Sequence, residues 1–139
     1  MRDLQSSKDF SNVGRSALLS PTQAVGAARE SEAEAFFINK GWVLSARNFR
    51  TPLGEVDLIF REPDGTVVFV EVKYRTRSDY GTASEMVSAS KQRKVVKAAL
   101  SFIKKQKLHR NYFRFDVAAI SPSGILHIPN AFSPQGYTF

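Results

Sequence analysis

Residues 54–75, "GEVDLIFREPDGTVVFVEVKYR", decide the fold of this chain. Two runs rich in Val, Ile and Phe flank Pro63-Asp64-Gly65, a pattern that predicts a β-hairpin. Four ionisable residues lie within the two strands, where acidic side chains are normally depleted. They are Glu55, Asp57, Glu71 and Lys73. The hairpin therefore combines a core-forming pattern with groups that need partners or solvent.

The chemistry of the turn predicts the register of the hairpin. Three-residue loops commonly pair a type I turn with a left-handed glycine, and residues 63–65 suit that loop. Asp57 then lies across from Glu71. The same register places Glu55 across from Lys73. Because side chains alternate along a strand, all four would share one face of the sheet.

Opposed carboxylates on a half-buried sheet would shift their pKa or recruit a cation. Mg²⁺ is commonly held by one or two carboxylates, with waters and substrate phosphate completing its shell. Two alternatives stay open. Charged pairs near a strand end are often solvated edge residues, and a two-residue loop of Asp64 and Gly65 would move the carboxylates to opposite faces.

The remaining segments predict an α/β fold of order α-β-β-β-α-β-β, with a mixed sheet covered by helices on both faces. Residues 1–21 are polar and Ser-rich and are interpreted as a flexible N-terminal extension, whereas residues 22–139 form one domain. The predicted elements are a helix at 22–40 closed by Gly41, a strand at 42–50, the hairpin, a loop at 76–86, a helix at 88–107, and strands at 112–120 and 125–129.

Helical periodicity predicts that each helix carries a polar residue in line with its apolar stripe. Gln92 lies in line with the stripe of the second helix, where a buried amide needs a partner. Glu30 lies in line with the stripe of the first helix, either as a third acidic group at the site or as a first-turn residue favoured by the helix dipole. Asp116, on the 112–120 strand, either supports the site or pairs with Arg114 or a lysine.

The charge of the chain favours a polyanionic partner. Its 20 Lys and Arg residues exceed 13 Asp and Glu residues, giving a net charge of +7, which predicts nucleic acid first and an anionic membrane surface second. A lysine-rich face of the second helix and the end of the hairpin carry candidate phosphate contacts. These are Arg75, Lys91, Arg93, Lys94 and Lys97.

Other classes of site are excluded by composition. The chain has no cysteine, which removes disulfides, thiolate zinc sites and thiol nucleophiles. It has no apolar run long enough to span a membrane and no apolar secretory segment at its start. The sequence therefore predicts a cytoplasmic protein without a membrane partner.

A strand carboxylate, Glu-x-Lys on the next strand and a basic helix together resemble the PD-(D/E)xK nuclease superfamily. The motifs "GEVDLI", "FVEVKYR", "SKQRK", "RFDVAAI" and "ILHIPNAF" resemble the YraN family of uncharacterised bacterial proteins, over roughly residues 26–132. This resemblance implies a restriction-endonuclease-like core. Where relatives usually carry Gly-Glu in the first helix, this chain has Arg29-Glu30.

The resemblance implies that Asp57 and Glu71 bind Mg²⁺ (or Mn²⁺), with Glu30 contributing directly or through water. It makes Lys73 the catalytic lysine and Gln92 the polar residue that follows the active-site strands; Glu55 is expected to support Lys73. The implied activity is hydrolysis of phosphodiester bonds in nucleic acid, with DNA expected, and a resolvase-like activity would require a homodimer. The alternatives are a non-catalytic nucleic-acid-binding module that retains the fold and a basic protein that docks on a protein or ribosomal partner.

Overall fold

The computed structural model describes residues 19–76 and 86–134 of the chain. Its helices and strands follow the predicted order. Most of the predicted extension (1–21) and most of the predicted loop (76–86) lie outside the described residues. The elements are α1 Pro21–Ile38, β1 Val43–Thr51, β2 Gly54–Arg61, β3 Val67–Tyr74, α2 Ala89–Lys105, β4 Phe113–Ser121 and β5 Gly124–Phe132.

The strands form a five-stranded sheet in the order β1-β2-β3-β4-β5. β3 and β4 are parallel, and every other neighbouring pair is antiparallel. A parallel pair requires a crossover connection, and α2 lies in the segment that joins β3 to β4. The predicted α/β class with a mixed sheet is therefore confirmed, and the arrangement is consistent with a restriction-endonuclease-like core.

Each face of the sheet carries its own apolar core. On one face, α2 packs Val95, Ala99 and Phe102 into a cluster with residues of the central strands. On the other face, α1 packs Ala33 and Phe37 into a second cluster. The central strands are buried on both sides, which explains why the hairpin reads as two nearly continuous apolar runs.

Both helix starts follow their local chemistry. The Ser20 hydroxyl accepts from the Gln23 amide at 3.1 Å, and the Gln23 side chain accepts from the Ser20 amide at 3.0 Å, which forms a capping box. Helix α1 ends at Ile38, two residues before the predicted end, and the predicted closing residue Gly41 has a φ of +88°. The hydroxyl of Ser88 caps α2 by accepting from the Lys91 amide at 3.1 Å.

The hairpin has the register that a three-residue loop predicts. Leu58 pairs with Val70, and Arg61 pairs with Val67. Gly65 closes the loop with a φ of +91°, the left-handed conformation that this position requires. The register expected from a two-residue loop is excluded.

The simple alternation of side chains predicted for β2 fails at Asp57. Val56 and Ile59 both pack in the α2-side cluster, although strict alternation would place them on opposite faces. On β1, Ala46 and Phe49 likewise both pack against that cluster. Asn48, with a φ of +48°, lies between those two β1 residues. The two strands therefore share a local irregularity, a feature that can re-aim side chains.

Candidate functional site

Asp57 and Glu71 meet where β2 and β3 stop pairing as regular strands. The Oδ2 atom of Asp57 accepts a hydrogen bond from the Val72 amide at 2.8 Å. The Oε1 atom of Glu71 accepts one from the Asp57 amide at 3.3 Å. The side chains thus take the places of backbone carbonyls, so the carboxylates lie between the two strands. Asp57 and Glu71 are hereafter called the carboxylate pair.

Burial and mutual repulsion disfavour the ionised forms of the carboxylate pair. Glu71 is only 1% exposed, and burial, followed by the nearby charge of Asp57, raises its pKa to about 8. Burial also raises the pKa of Asp57, although the hydrogen bond from Val72 opposes that shift. The structure therefore concentrates acidic groups in a place where water solvates them poorly.

Lys91 lies against the carboxylate pair, although the sequence predicted it to bind nucleic acid. Its Nζ atom is 3.8 Å from Glu71 Oε2 and 4.0 Å from Glu55 Oε1. Its ammonium group lowers the pKa of both members of the pair. The helical wheel placed Lys91 on the side of α2 opposite the apolar stripe, and that placement is wrong. Lys91 lies half-buried at the edge of the face that packs on the sheet, in line with the buried residues Val95 and Phe102.

Lys73 and Glu55 also surround the pair. The charge of Lys73 lowers the pKa of Asp57 and of Glu71, so the catalytic lysine implied by the family resemblance lies within electrostatic reach of both. Glu55, predicted to support Lys73, instead contacts Arg50 Nε at 3.0 Å and Lys91 Nζ. The hairpin alone could not indicate this partner, because Arg50 lies on β1, where it pairs directly with Glu55 in the β1–β2 register.

Glu30 reaches the same site from α1. Burial raises the pKa of Glu30, and the next largest contribution is the charge of Asp57. A side-chain hydrogen bond with Asn48 lowers it. The preceding residue, Arg29, lies over the Tyr74 ring, 3.0 Å from its centroid, so Arg29 stacks on the end of β3. Asn48 was not identified from the sequence; an asparagine can adopt positive φ, but only tertiary structure places it beside Glu30.

The other predicted residues lie around this centre with different partners. The Gln92 side chain donates to the buried Val87 carbonyl at 2.8 Å, which secures the segment entering α2. Arg75 donates from its guanidinium to the Tyr74 carbonyl at 3.1 Å. Arg93, Lys94 and Lys97 are exposed in the first half of α2, and Lys104 and Lys105 are exposed at its end.

Asp116, itself fully buried, lies at the centre of a separate polar cluster whose other members are partly exposed. It accepts from Arg114 Nε at 3.0 Å, lies 2.7 Å from His127 Nε2, and accepts from the Asn130 amide at 2.9 Å. Arg114 also pairs with Glu62. Of the two roles predicted for Asp116, the pairing with Arg114 is confirmed, and these contacts join β4 to β5.

The donors at the site suit a hard divalent cation. Mg²⁺ prefers carboxylate oxygens and keeps several waters, and a cation would relieve the repulsion within the carboxylate pair. Across residues 19–76 and 86–134, no three His, Cys, Asp or Glu side chains are grouped so as to hold a metal. The carboxylate pair would therefore need water and substrate oxygens to complete a metal shell, with Glu30 acting through water.

The described part of the chain also bears on membrane association. None of its helices has the length and apolar character required to cross a bilayer.

Comparison with known proteins identifies relatives along most of the chain. The family model described as "Uncharacterised protein family UPF0102" matches residues 29–120, a span that contains every candidate site residue. A UPF0102 protein of Trichlorobacter lovleyi is 41% identical over 115 residues, covering 79% of this chain and 91% of the relative. One of Cupriavidus pinatubonensis is 42% identical over 113 residues, covering 81% and 88%. Another, of Aliivibrio fischeri, is 44% identical over 104 residues, covering 73% and 84%.

Proposed function

The chain belongs to the UPF0102 (YraN) family of uncharacterised proteins, as its motifs predicted, and we propose that it is a metal-dependent nuclease that hydrolyses phosphodiester bonds in DNA. One observation carries the proposal. The carboxylate pair lies between two strands, largely out of solvent, with the ammonium groups of Lys73 and Lys91 acting on it. A protein that only bound nucleic acid would gain nothing from two acidic groups held together beside its basic surface.

The roles of the residues follow from their positions. The carboxylate pair would hold Mg²⁺ or Mn²⁺, which when bound activates water and stabilises charge on the phosphate. Lys73 would stabilise charge that develops on the reacting phosphate. Gln92 fixes the start of α2 through Val87, which keeps Lys91 close to the pair.

The exposed cations in the first half of α2 would hold the substrate strand. Arg93, Lys94 and Lys97 project from the helix that also carries Lys91. Phosphate contacts of this kind position a nucleic acid without reading its sequence. The net charge of +7 supports the same assignment, because basic surfaces steer polyanions toward a site.

A cleavage assay tests the proposal. Labelled single-stranded, duplex, flapped and four-way DNA would be incubated with the full chain in Mg²⁺, Mn²⁺ or EDTA. Asp57→Asn and Lys73→Met would be compared with Glu32→Gln and Lys105→Met, which make the same charge changes at exposed positions of α1 and α2. We expect metal-dependent cleavage that is lost in the first two variants and retained in the two controls.

The opposite result has an equally definite meaning. If no DNA is cut, while wild-type and Asp57→Asn proteins bind all four probes with the same steep dependence on salt, catalysis on DNA is refuted. The non-catalytic nucleic-acid-binding module would then replace the nuclease as the assignment. Cleavage that survives in Asp57→Asn would show that another site, or a contaminant, is responsible.

A further inference from the structure

The turn at residues 51–54 presents apolar side chains beside the candidate site. It joins β1 to β2 and ends three residues before Asp57, about 10 Å along an extended strand. Leu53 is 63% exposed at this turn, and Pro52 is exposed next to it. Leu53 thus places an apolar tip four residues before Asp57, roughly 13 Å along the strand.

Local hydrogen bonds hold the turn in one shape. The Thr51 hydroxyl accepts from the Leu53 amide at 3.2 Å and from the Gly54 amide at 3.1 Å, and it contacts the Gly54 carbonyl at 3.0 Å. Such side-chain contacts to nearby backbone stabilise tight turns. Leu53 is therefore presented on a fixed scaffold.

The turn is also packed directly on α2. A Cβ atom on Gly54 would lie 2.1 Å from the carbonyl oxygen of Lys94, so only glycine permits this approach. The position of Leu53 is thereby tied to the helix that carries Lys91. A group that contacts Leu53 therefore lies at a fixed distance from the carboxylate pair.

Cationic groups flank this apolar tip. Arg50 and Lys94 line a cavity of about 280 Å³ together with Leu53 and Glu55. The carboxylate of Glu55 is already paired with Arg50 and lies near Lys91. Lys94 lines the cavity as a further cation and is exposed to solvent.

We propose that the turn at residues 51–54 is a wedge for nucleic acid that carries an unpaired base next to the bond to be cut. Leu53 packs against the face of that base, and Arg50 and Lys94 contact the phosphates on either side of it. This inference rests on the proposed nuclease function and narrows its substrate class to flapped, bulged or branched DNA over continuous duplex. Apolar wedges that insert between base steps are an established means of engaging distorted DNA.

A single exposed leucine is common on protein surfaces, so exposure alone does not identify a binding residue. Leu53 is singled out by its location beside the candidate site. Leu126 on β5 is also exposed, at 45%, and provides a matched control. The wedge predicts that the two leucines differ in their effect on nucleic acid, whereas chance exposure predicts that they behave alike.

The experiment measures binding without cleavage. Full-length wild-type, Leu53→Ser and Leu126→Ser proteins would be titrated in EDTA into fluorescent DNA, either continuous duplex or duplex with a single-stranded flap. A second flap probe would carry 2-aminopurine at the first unpaired position. We expect Leu53→Ser to lose about tenfold in affinity for the flap, the effect of removing one well-buried leucine contact, and less than about twofold for duplex. Wild-type protein should change the 2-aminopurine fluorescence, and Leu126→Ser should match it.

Equal affinities of all three proteins for the flap, or an unchanged 2-aminopurine signal on wild-type binding, overturn the wedge. Neither result changes the outcome of the cleavage assay, which tests the nuclease proposal separately. Conversely, selective flap binding that depends on Leu53, found in a protein that cuts no DNA, would support the wedge as a recognition device and refute only the nuclease.

Discussion

Neutralising Glu71 is expected to stabilise the metal-free protein at neutral and alkaline pH. The folded state raises the pKa of Glu71 from 4.5 to about 8. Between these values the folded protein keeps a proton that the unfolded chain releases, so the free energy of unfolding falls as pH rises. The Glu71→Gln variant keeps a neutral side chain at every pH and escapes this loss.

The size of the effect follows from the pKa difference. Each pKa unit corresponds to about 1.4 kcal/mol, so the shift from 4.5 to about 8 gives a loss of about 5 kcal/mol across that pH range. The raised pKa of Asp57 acts in the same direction. Below about pH 4.5 the Glu71 term vanishes, because both states are then protonated.

Urea denaturation in EDTA, from about pH 5 to pH 8.5, would measure the effect. We expect the wild-type free energy of unfolding to fall steeply with pH and that of Glu71→Gln to fall much less. Glu32→Gln, at an exposed position of α1, makes the same change of charge and should follow the wild type. If the free energy of unfolding falls equally with pH in the wild type and in Glu71→Gln, the inference that the fold raises the pKa of Glu71 is refuted.

Three further predictions concern neighbouring residues. Lys91→Met removes the ammonium group 3.8 Å from Glu71 and should deepen the alkaline loss of stability by about 1 kcal/mol, measured by the same titration with Lys97→Met as its control. Gly54→Ala forces a Cβ against the Lys94 carbonyl and should lower the free energy of unfolding by about 2 kcal/mol or more, whereas alanine at Gly26, which meets nothing within 4 Å, should be tolerated in a thermal melt. Asp116→Ala removes the buried carboxylate that contacts Arg114 and His127, while Arg114 keeps its pair with Glu62, and should cost about 2 kcal/mol, with metal-dependent cleavage by the folded fraction unchanged.

The hairpin shows why part of the site could be predicted from the sequence. Turn chemistry is local, so residues 63–65 determined the register in which Leu58 pairs with Val70. Asp57 and Glu71 lie just beyond that pair and meet through side-chain hydrogen bonds. The irregularity at Asp57 could not be foreseen in the same way. It depends on β1, where Asn48 adopts a positive φ, and a neighbouring strand leaves no mark on hairpin periodicity.

The boundaries and partners that were missed have related causes. β5 runs to Phe132 rather than residue 129 because Pro129 lies in an edge strand, where a missing amide donor is tolerated. Lys91 and Glu55 acquired partners that no helical wheel or two-strand register could assign, since each contact joins α2 to the sheet. Sequence periodicity identifies the face on which a side chain lies, and packing decides what it meets there.

The proposed metal site would couple metal binding to folding through the carboxylate pair. A ligand that binds only the folded state adds about 3 kcal/mol of stability when its free concentration is about a hundred times its Kd. That gain would offset roughly half of the loss of about 5 kcal/mol caused by holding Glu71 in the fold at alkaline pH. Mn²⁺ should therefore raise the thermal midpoint of the wild type more at about pH 8 than at about pH 5, where protons compete for the same oxygens. In Glu71→Gln the Mn²⁺-induced rise in the thermal midpoint should be small at both pH values. The variant has lost both the buried ionisable carboxyl and a carboxylate that would bind the metal.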